Sequence, residues 1–283
     1  MCDDFTDAVG DAVTRREFAA MGALAALVAC SGAGKGGAPQ LGEATVRIPT
    51  PDGMADAFFV HPAKGKHPGV ILWPDIGGLR DAFKLMARRL AGAGYGVLAV
   101  NQYYRNAPAP VLTSFAEWRT PEGQTKLKPM IAGITPEGTM RDAVAFAAFL
   151  DTQSAVDTHR KLGTQGYCMG GPFAIRTAAA VPGRIGAAAS LHGAGLVGTS
   201  ADSPSQLLAK SQASFLFAIG RNDDMRAPGD KDALRAAAYA AKRPAEIEVY
   251  PADHGWCVPD TPIYDAAQAE RAWGRLLALY RGL

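Results

Sequence analysis

In Gln165-Gly166-Tyr167-Cys168-Met169-Gly170-Gly171, glycine stands two residues before a cysteine and two residues after it. An extended run, Lys161 to Tyr167, leads in, and an alanine-rich helical run, Pro172 to Ala180, leads out. This is the pattern of a strand that turns sharply into a helix and lifts one side chain clear of the sheet at the bend. The small neighbours allow the tight turn. The helix aims its first N–H groups and its positive dipole end at the thiol, which favours the thiolate and therefore nucleophilic chemistry. A free cysteine is otherwise commonly a packed core residue. Here the glycine spacing, the strand before and the helix after select the nucleophile.

Outward from that bend, strands and helices alternate. Ala44 to Ile48 and Asp56 to His61 flank a Pro51-Asp52-Gly53 turn and read as a hairpin. Gly69 to Trp73 and Gly96 to Asn101 are apolar runs of the kind buried on both faces of a sheet, with a helix between them that Gly92-Ala93-Gly94 closes. Gln102 to Pro136 reads as a long irregular segment, which in a compact domain is usually a lid or a substrate loop. Helix resumes from Glu137 to Leu150. After the bend come strands at Gly186 to Leu191, Ser214 to Ile219 and Glu246 to Tyr250. Helices run over Ser203 to Lys210, Lys231 to Lys242 and Asp265 to Arg281. The alternation predicts an α/β fold, a mostly parallel central sheet with helices on both faces. Active sites of such sheets lie beyond the carboxyl ends of the strands. Asp75, Cys168, His192, Asp223 and His254 each follow a predicted strand, so they gather along one edge.

Chain order selects the partners, because in α/β-hydrolases the nucleophile precedes the acid and the acid precedes the histidine. Asp223, in the Arg221-Asn222-Asp223 loop, is the expected acid, with Asp224 as a near rival and Asp230 as a distant one. Of the five histidines only His254 follows Asp223. His192 ends the strand after the nucleophile helix and is expected to line the pocket. The oxyanion donors are expected to be the backbone N–H groups of Met169 and Ile76.

Taken together, these residues resemble the dienelactone hydrolases within the α/β-hydrolase fold. The matching pieces are Gly166-Tyr167-Cys168-Met169-Gly170-Gly171, Gly220-Arg221-Asn222-Asp223, Asp253-His254-Gly255-Trp256, Asp75-Ile76-Gly77-Gly78 and Tyr103-Tyr104-Arg105. The resemblance implies a Cys168–Asp223–His254 triad that opens a lactone or activated ester through an acyl-enzyme, with no metal or cofactor. It also places Tyr104, Arg105, His192 and Trp256 near the substrate. Two departures stand out. The family's thiol-contacting glutamate is matched here by the shorter Asp75, an expected auxiliary group for the thiol. The arginine that the family carries beyond its histidine is missing from Gly255-Trp256-Cys257-Val258, leaving Arg105 as a single carboxylate clamp.

The chain has 283 residues, 48% hydrophobic, with a net charge of +2 and no basic block, which argues against nucleic acid as the main partner. Residues 1–29 read as an export signal. Thr14-Arg15-Arg16-Glu17-Phe18 precedes an apolar run, Ala19 to Ala29, far shorter than the ~20 residues of a spanning helix. Leu27-Val28-Ala29-Cys30 resembles a lipobox, so Cys30 is the expected lipidation site and membrane anchor of an exported, periplasmic or membrane-bound bacterial lipoprotein. Residues 30–43 read as a flexible tether and 44–283 as the hydrolase domain, with a monomer favoured. Three rival expectations accompany this reading. The first is a lipid-anchored binding protein with an inactive site. The second is a metal site from His254, Cys257, Asp253 and His192. The third is a switch-off disulfide between Cys168 and Cys257, against which Cys257 is expected to pack with Trp256 beneath the site.

Overall fold

The computed structural model describes residues 40–283. The export signal and Cys30 expected from the sequence lie outside the described residues, as does most of the tether. Eight strands form one sheet: β1 (Leu41–Thr50), β2 (Gly53–Pro62), β3 (Gly69–Trp73), β4 (Gly96–Val100), β5 (Leu162–Tyr167), β6 (Ile185–Leu191), β7 (Ser214–Gly220) and β8 (Ala245–Tyr250). Their order across the sheet is β1-β2-β4-β3-β5-β6-β7-β8. The β1/β2 and β2/β4 pairs are antiparallel, and every pairing from β4 to β8 is parallel. This is the α/β arrangement that the alternation predicts.

The helices are α1 (Asp81–Gly92), α2 (Phe115–Trp118), α3 (Pro121–Ala132), α4 (Pro136–Thr152), α5 (Gly170–Ala180), α6 (Pro204–Leu207), α7 (Arg221–Arg226), α8 (Asp230–Ala240) and α9 (Ala266–Tyr280). They cover both faces of the sheet. Alternate residues of one strand serve opposite cores. Ile71 and Trp73 of β3 face α4, α5 and α8, whereas Val70 and Leu72 face α1 and α9. That division explains the unbroken apolar runs of the central strands. Trp73 bolts α5 to the sheet. Its ring lies 5.6 Å from those of Phe146 and Phe173, and its N–H donates to Thr177 Oγ1 at 3.0 Å.

Two expectations change. The tether ends earlier than residue 43, because Leu41, Gly42 and Glu43 already pair with Pro62, His61 and Val60. Gly42 interrupts the apolar pattern of β1, yet it fits the strand: a Cβ there would meet the His61 ring at 2.8 Å. The segment from Gln102 to Pro136 is more ordered than its prolines suggest, since it holds α2 and α3. Thr120 caps α3, its hydroxyl accepting the Gly123 N–H at 3.1 Å, and Pro121 takes the first turn, where no N–H is needed. Pro129, inside that helix, masks it in the sequence. The segment packs as a lid of Val111, Leu112 and Leu127 on Tyr103, with Met169 against the same cluster.

β3 is where the chain reverses its direction of growth across the sheet, with β4 on one side and β5 on the other. The loop after β3 and the bend after β5 are therefore neighbours, and Trp73 pairs with Gly166. Crevices at such switch points are where open α/β sheets bind ligands. No helix of the described residues is long and apolar enough to cross a membrane.

Candidate active site

The bend after β5 is a strained turn. Cys168 has φ 52°, the left-handed region that L-residues rarely occupy, and such a residue persists only where its surroundings hold it. They hold it closely. A Cβ on Gly166 would lie 1.8 Å from the Gly170 carbonyl oxygen, and one on Gly170 would lie 2.4 Å from the Trp73 oxygen. The Cys168 N–H is shared between Leu191 O and His192 Nδ1, each at 3.1 Å. His192 is itself strained, with φ 41°. Two strained residues at the ends of adjacent strands thus brace each other.

β7 and β8 supply the next two groups. His254 Nδ1 lies 2.9 and 3.0 Å from the two Asp223 carboxylate oxygens, and the ring also hydrogen-bonds Cys168. Burial opposes a charge on His254, but the Cys168 thiolate and the Asp223 hydrogen bond outweigh it and push the pKa up to about 10. Asp224, the near rival, instead pairs with Lys231 at 2.6 Å. Asp223 lies in the first turn of α7 rather than in the expected loop. Asn222 was not singled out by sequence reasoning, yet its Oδ1 accepts the His254 backbone N–H at 2.8 Å and holds that loop against α7.

Peptide geometry sets the direction of the two N–H groups expected as oxyanion donors. In a trans peptide the N–H points opposite to the C=O. The Asp75 carbonyl accepts from Gly78 N–H at 3.0 Å and from Gln102 Nε2 at 2.7 Å, which fixes the direction of the Ile76 N–H. The Cys168 carbonyl accepts from Gly171 N–H at 3.0 Å, which does the same for the Met169 N–H. Neither Ile76 N–H nor Met169 N–H has an acceptor among the described residues. Tyr103 adds a bond from its hydroxyl to the Ile76 carbonyl at 2.7 Å. Gln102 and Tyr103 thus support the loop after β3, a part that the sequence analysis assigned to neither.

Five of the expected site residues have partners of their own in the fold. Asp75 is not turned to the thiol: its carboxylate accepts both Arg80 Nη groups, at 2.7 and 3.0 Å, and the Gly77 N–H at 2.8 Å. Arg105 is no open clamp, because it makes a two-pronged pair with Asp142, both bonds 2.8 Å, and a further pair with Asp52. Tyr104 donates to the same Asp142 at 2.7 Å and contacts Thr50, so both residues fasten the β1–β2 turn to α4. Trp256 is fully buried, stacked on Tyr250 with centroids 5.1 Å apart. His192 is also buried. Its Nδ1 accepts the Cys168 backbone N–H, and its ring meets His254 edge-on at 4.9 Å. Because Nδ1 accepts, the neutral ring carries its proton on Nε2. Burial, with the charge on His254, holds its pKa well below the usual imidazole range.

Cys168 and Cys257 are both free thiols. Cys257 packs in the same core cluster as Trp256, as expected, and burial pushes its thiol pKa well up, the signature of an inert cysteine. Among the described residues no group of three or more His, Cys, Asp or Glu could hold a metal ion.

With that geometry in hand, known proteins supply the comparison. The sequence pattern of the dienelactone hydrolase family matches residues 55–282. The chain belongs to the dienelactone hydrolase family. A protein of Methylorubrum extorquens provisionally named carboxymethylenebutenolidase is 30% identical over 242 residues, 83% of this chain and 79% of its own length. One of Escherichia coli K12 with the same provisional name is 29% identical, over 83% of this chain and 84% of its own. A solved structure described as a dienelactone hydrolase of Klebsiella pneumoniae superposes with a TM-score of 0.74 at 26% identity, covering 86% of this chain and all of that one. A dienelactone hydrolase-like promiscuous phosphotriesterase from metagenomic libraries, at 22% identity and TM-score 0.68, shares the fold. As a family member the chain is an enzyme of the lactone and carboxylic-ester hydrolase class.

Proposed function

We propose that this dienelactone hydrolase-like protein opens a small lactone or cleaves an activated ester through an acyl-enzyme on Cys168. The observation that carries the reading is the continuous chain Cys168–His254–Asp223, together with two backbone N–H groups, those of Ile76 and Met169, without acceptors among the described residues. The Cys168 thiolate attacks the carbonyl carbon, and the Ile76 and Met169 N–H groups receive the developing oxyanion. The tetrahedral adduct collapses and expels the enolate or alkoxide, which takes the imidazolium proton of His254. Neutral His254 then draws a proton from water, the resulting nucleophile attacks the thioester, and the acid leaves as the thiolate reforms. Asp223 keeps the proton on Nδ1 and so leaves Nε2 to face the chemistry.

The substrate reading departs from a carboxylate-bearing lactone. Arg105 is engaged by Asp142 and Asp52, and Arg80 by Asp75 and Asp260. An incoming carboxylate would have to displace one of these carboxylates. Neutral substrates are therefore preferred. A neutral five-membered enol lactone is expected to show kcat/KM about tenfold above its carboxylated counterpart, about 1.4 kcal/mol of discrimination. Steady-state rates on the matched pair check this. A tenfold preference for the carboxylated lactone would restore Arg105 as a clamp, and turnover of neither would remove the hydrolase reading.

A further inference from the structure

Arg80 is fully buried at the N-cap of α1, yet it caps nothing with its side chain. Its five N–H donors all have acceptors. Nε and Nη2 grip the two oxygens of Asp260, each at 2.7 Å. Nη1 and Nη2 grip the two oxygens of Asp75, at 2.7 and 3.0 Å, and Nη1 also reaches Gly78 O at 3.2 Å. Phe83 and Phe115 lie against the guanidinium, 5.0 and 5.6 Å from its carbon. A buried ion cluster of this kind is a costly way to hold a fold together, and an apolar cluster of similar volume often does as well or better. What the cluster does supply is geometry, since a planar fork fixes direction as well as distance.

The connections converge on the chemistry. Asp75 carries the carbonyl whose peptide sets the Ile76 N–H. Asp260 lies six residues beyond His254, on the loop that carries it. One Asp260 oxygen also accepts the backbone N–H of Phe115, the first residue of α2 in the lid, at 3.1 Å. One guanidinium therefore joins the oxyanion loop, the histidine loop and the lid. We propose that Arg80 is a positioning residue that couples seating of the lid on Asp260 to the aim of the Ile76 N–H, so that the oxyanion hole is complete only when the lid is down. The proposal rests on the acyl-transfer reading above.

The test compares two reactions of Cys168. Ester hydrolysis needs the oxyanion hole, whereas alkylation by iodoacetamide needs only the thiolate. Arg80→Lys keeps the charge and loses the fork. It is expected to lower kcat for an activated aryl ester about 10²-fold, the scale of one oxyanion donor, with little change in KM and an unchanged rate of Cys168 alkylation. It also exposes residues 101–136 to faster proteolysis. Asp260→Asn, which retains shape, is expected to act in the same direction and carries the test if Arg80→Lys shows no melting transition. Parallel losses in hydrolysis and alkylation would overturn the proposal, since the cluster would then be holding the triad. Unchanged kcat in both variants would overturn it as well. A wild-type protein that alkylates normally but turns over no ester would remove the hydrolase reading, and the proposal with it.

Discussion

Cys168→Ala lowers kcat/KM for an activated aryl ester by about 10⁴-fold, the scale seen when a nucleophile is removed from a cooperating set. The backbone supports a clean comparison. Alanine keeps the Cβ, so the turn at φ 52° and the shared N–H bonds to Leu191 and His192 need not change. The variant should fold and melt close to the parent, which separates lost chemistry from lost structure. The electrostatics predict a second signature. His254 is raised to about 10 against the opposing effect of burial, by the Cys168 thiolate and by Asp223. Taking away the thiolate removes an anion from beside the imidazolium, so the proton is held less tightly and the pKa falls. An NMR titration of the His254 ring in the two proteins reads that fall. A raised or unchanged value in the alanine variant would show that the thiol and the imidazole are not a pair.

Gly166→Ala is expected to be among the most damaging single substitutions in the molecule. The new Cβ would stand 1.8 Å from Gly170 O, 2.3 Å from Gly170 C and 2.9 Å from Gly171 N. All three are backbone atoms of the turn itself, so no side chain can swing away. The turn must open by more than an ångström, against a strand that is buried throughout and a helix that is buried except at Arg176 and Ala180. A destabilisation of about 3–5 kcal/mol is expected, in the range reserved for forced backbone strain and overpacking. Any folded fraction should lose about 10²-fold or more in kcat, because the thiol moves off line from the donors. Gly183→Ala is the control, since a Cβ there meets nothing within 4 Å. Chemical denaturation of both variants checks the contrast. Equal midpoints would mean that the elbow tolerates a side chain at Gly166 and that the close approach is not what fixes the bend.

The parts of this protein that were legible in its sequence are those where one residue type answers one local demand. Glycine at 166, 170 and 171 marks a turn that excludes a Cβ, and unbroken apolar runs mark strands covered on both faces. The order of Cys168, Asp223 and His254 follows from strands that succeed one another across the sheet. What stayed hidden are the pairings. Arg105 looks the same in a sequence whether it faces a substrate or Asp142, and only the fold brings α4 to it. Asp75 likewise reads as a free acid until α1 folds Arg80 back over it. Trp256 follows the histidine by two residues, yet the left-handed Gly255, with φ 105°, turns the chain inward and buries the ring. Thr120-Pro121 was a readable helix start, and Pro129 obscured it.

The measurement that bears most directly on the central claim is the mass of the protein during turnover. Acid quenching traps a thioester if deacylation is slow enough for it to accumulate, and a hindered aryl ester with a slowly hydrolysed acyl group meets that condition. Intact mass followed by peptide mapping is predicted to show one added acyl group on the peptide that contains Cys168. It should be absent from Cys168→Ala and enriched when Asp223→Asn slows His254. Acylation of Cys257 or of any other residue, with Cys168 left unmodified while ester continues to be consumed, would contradict the account.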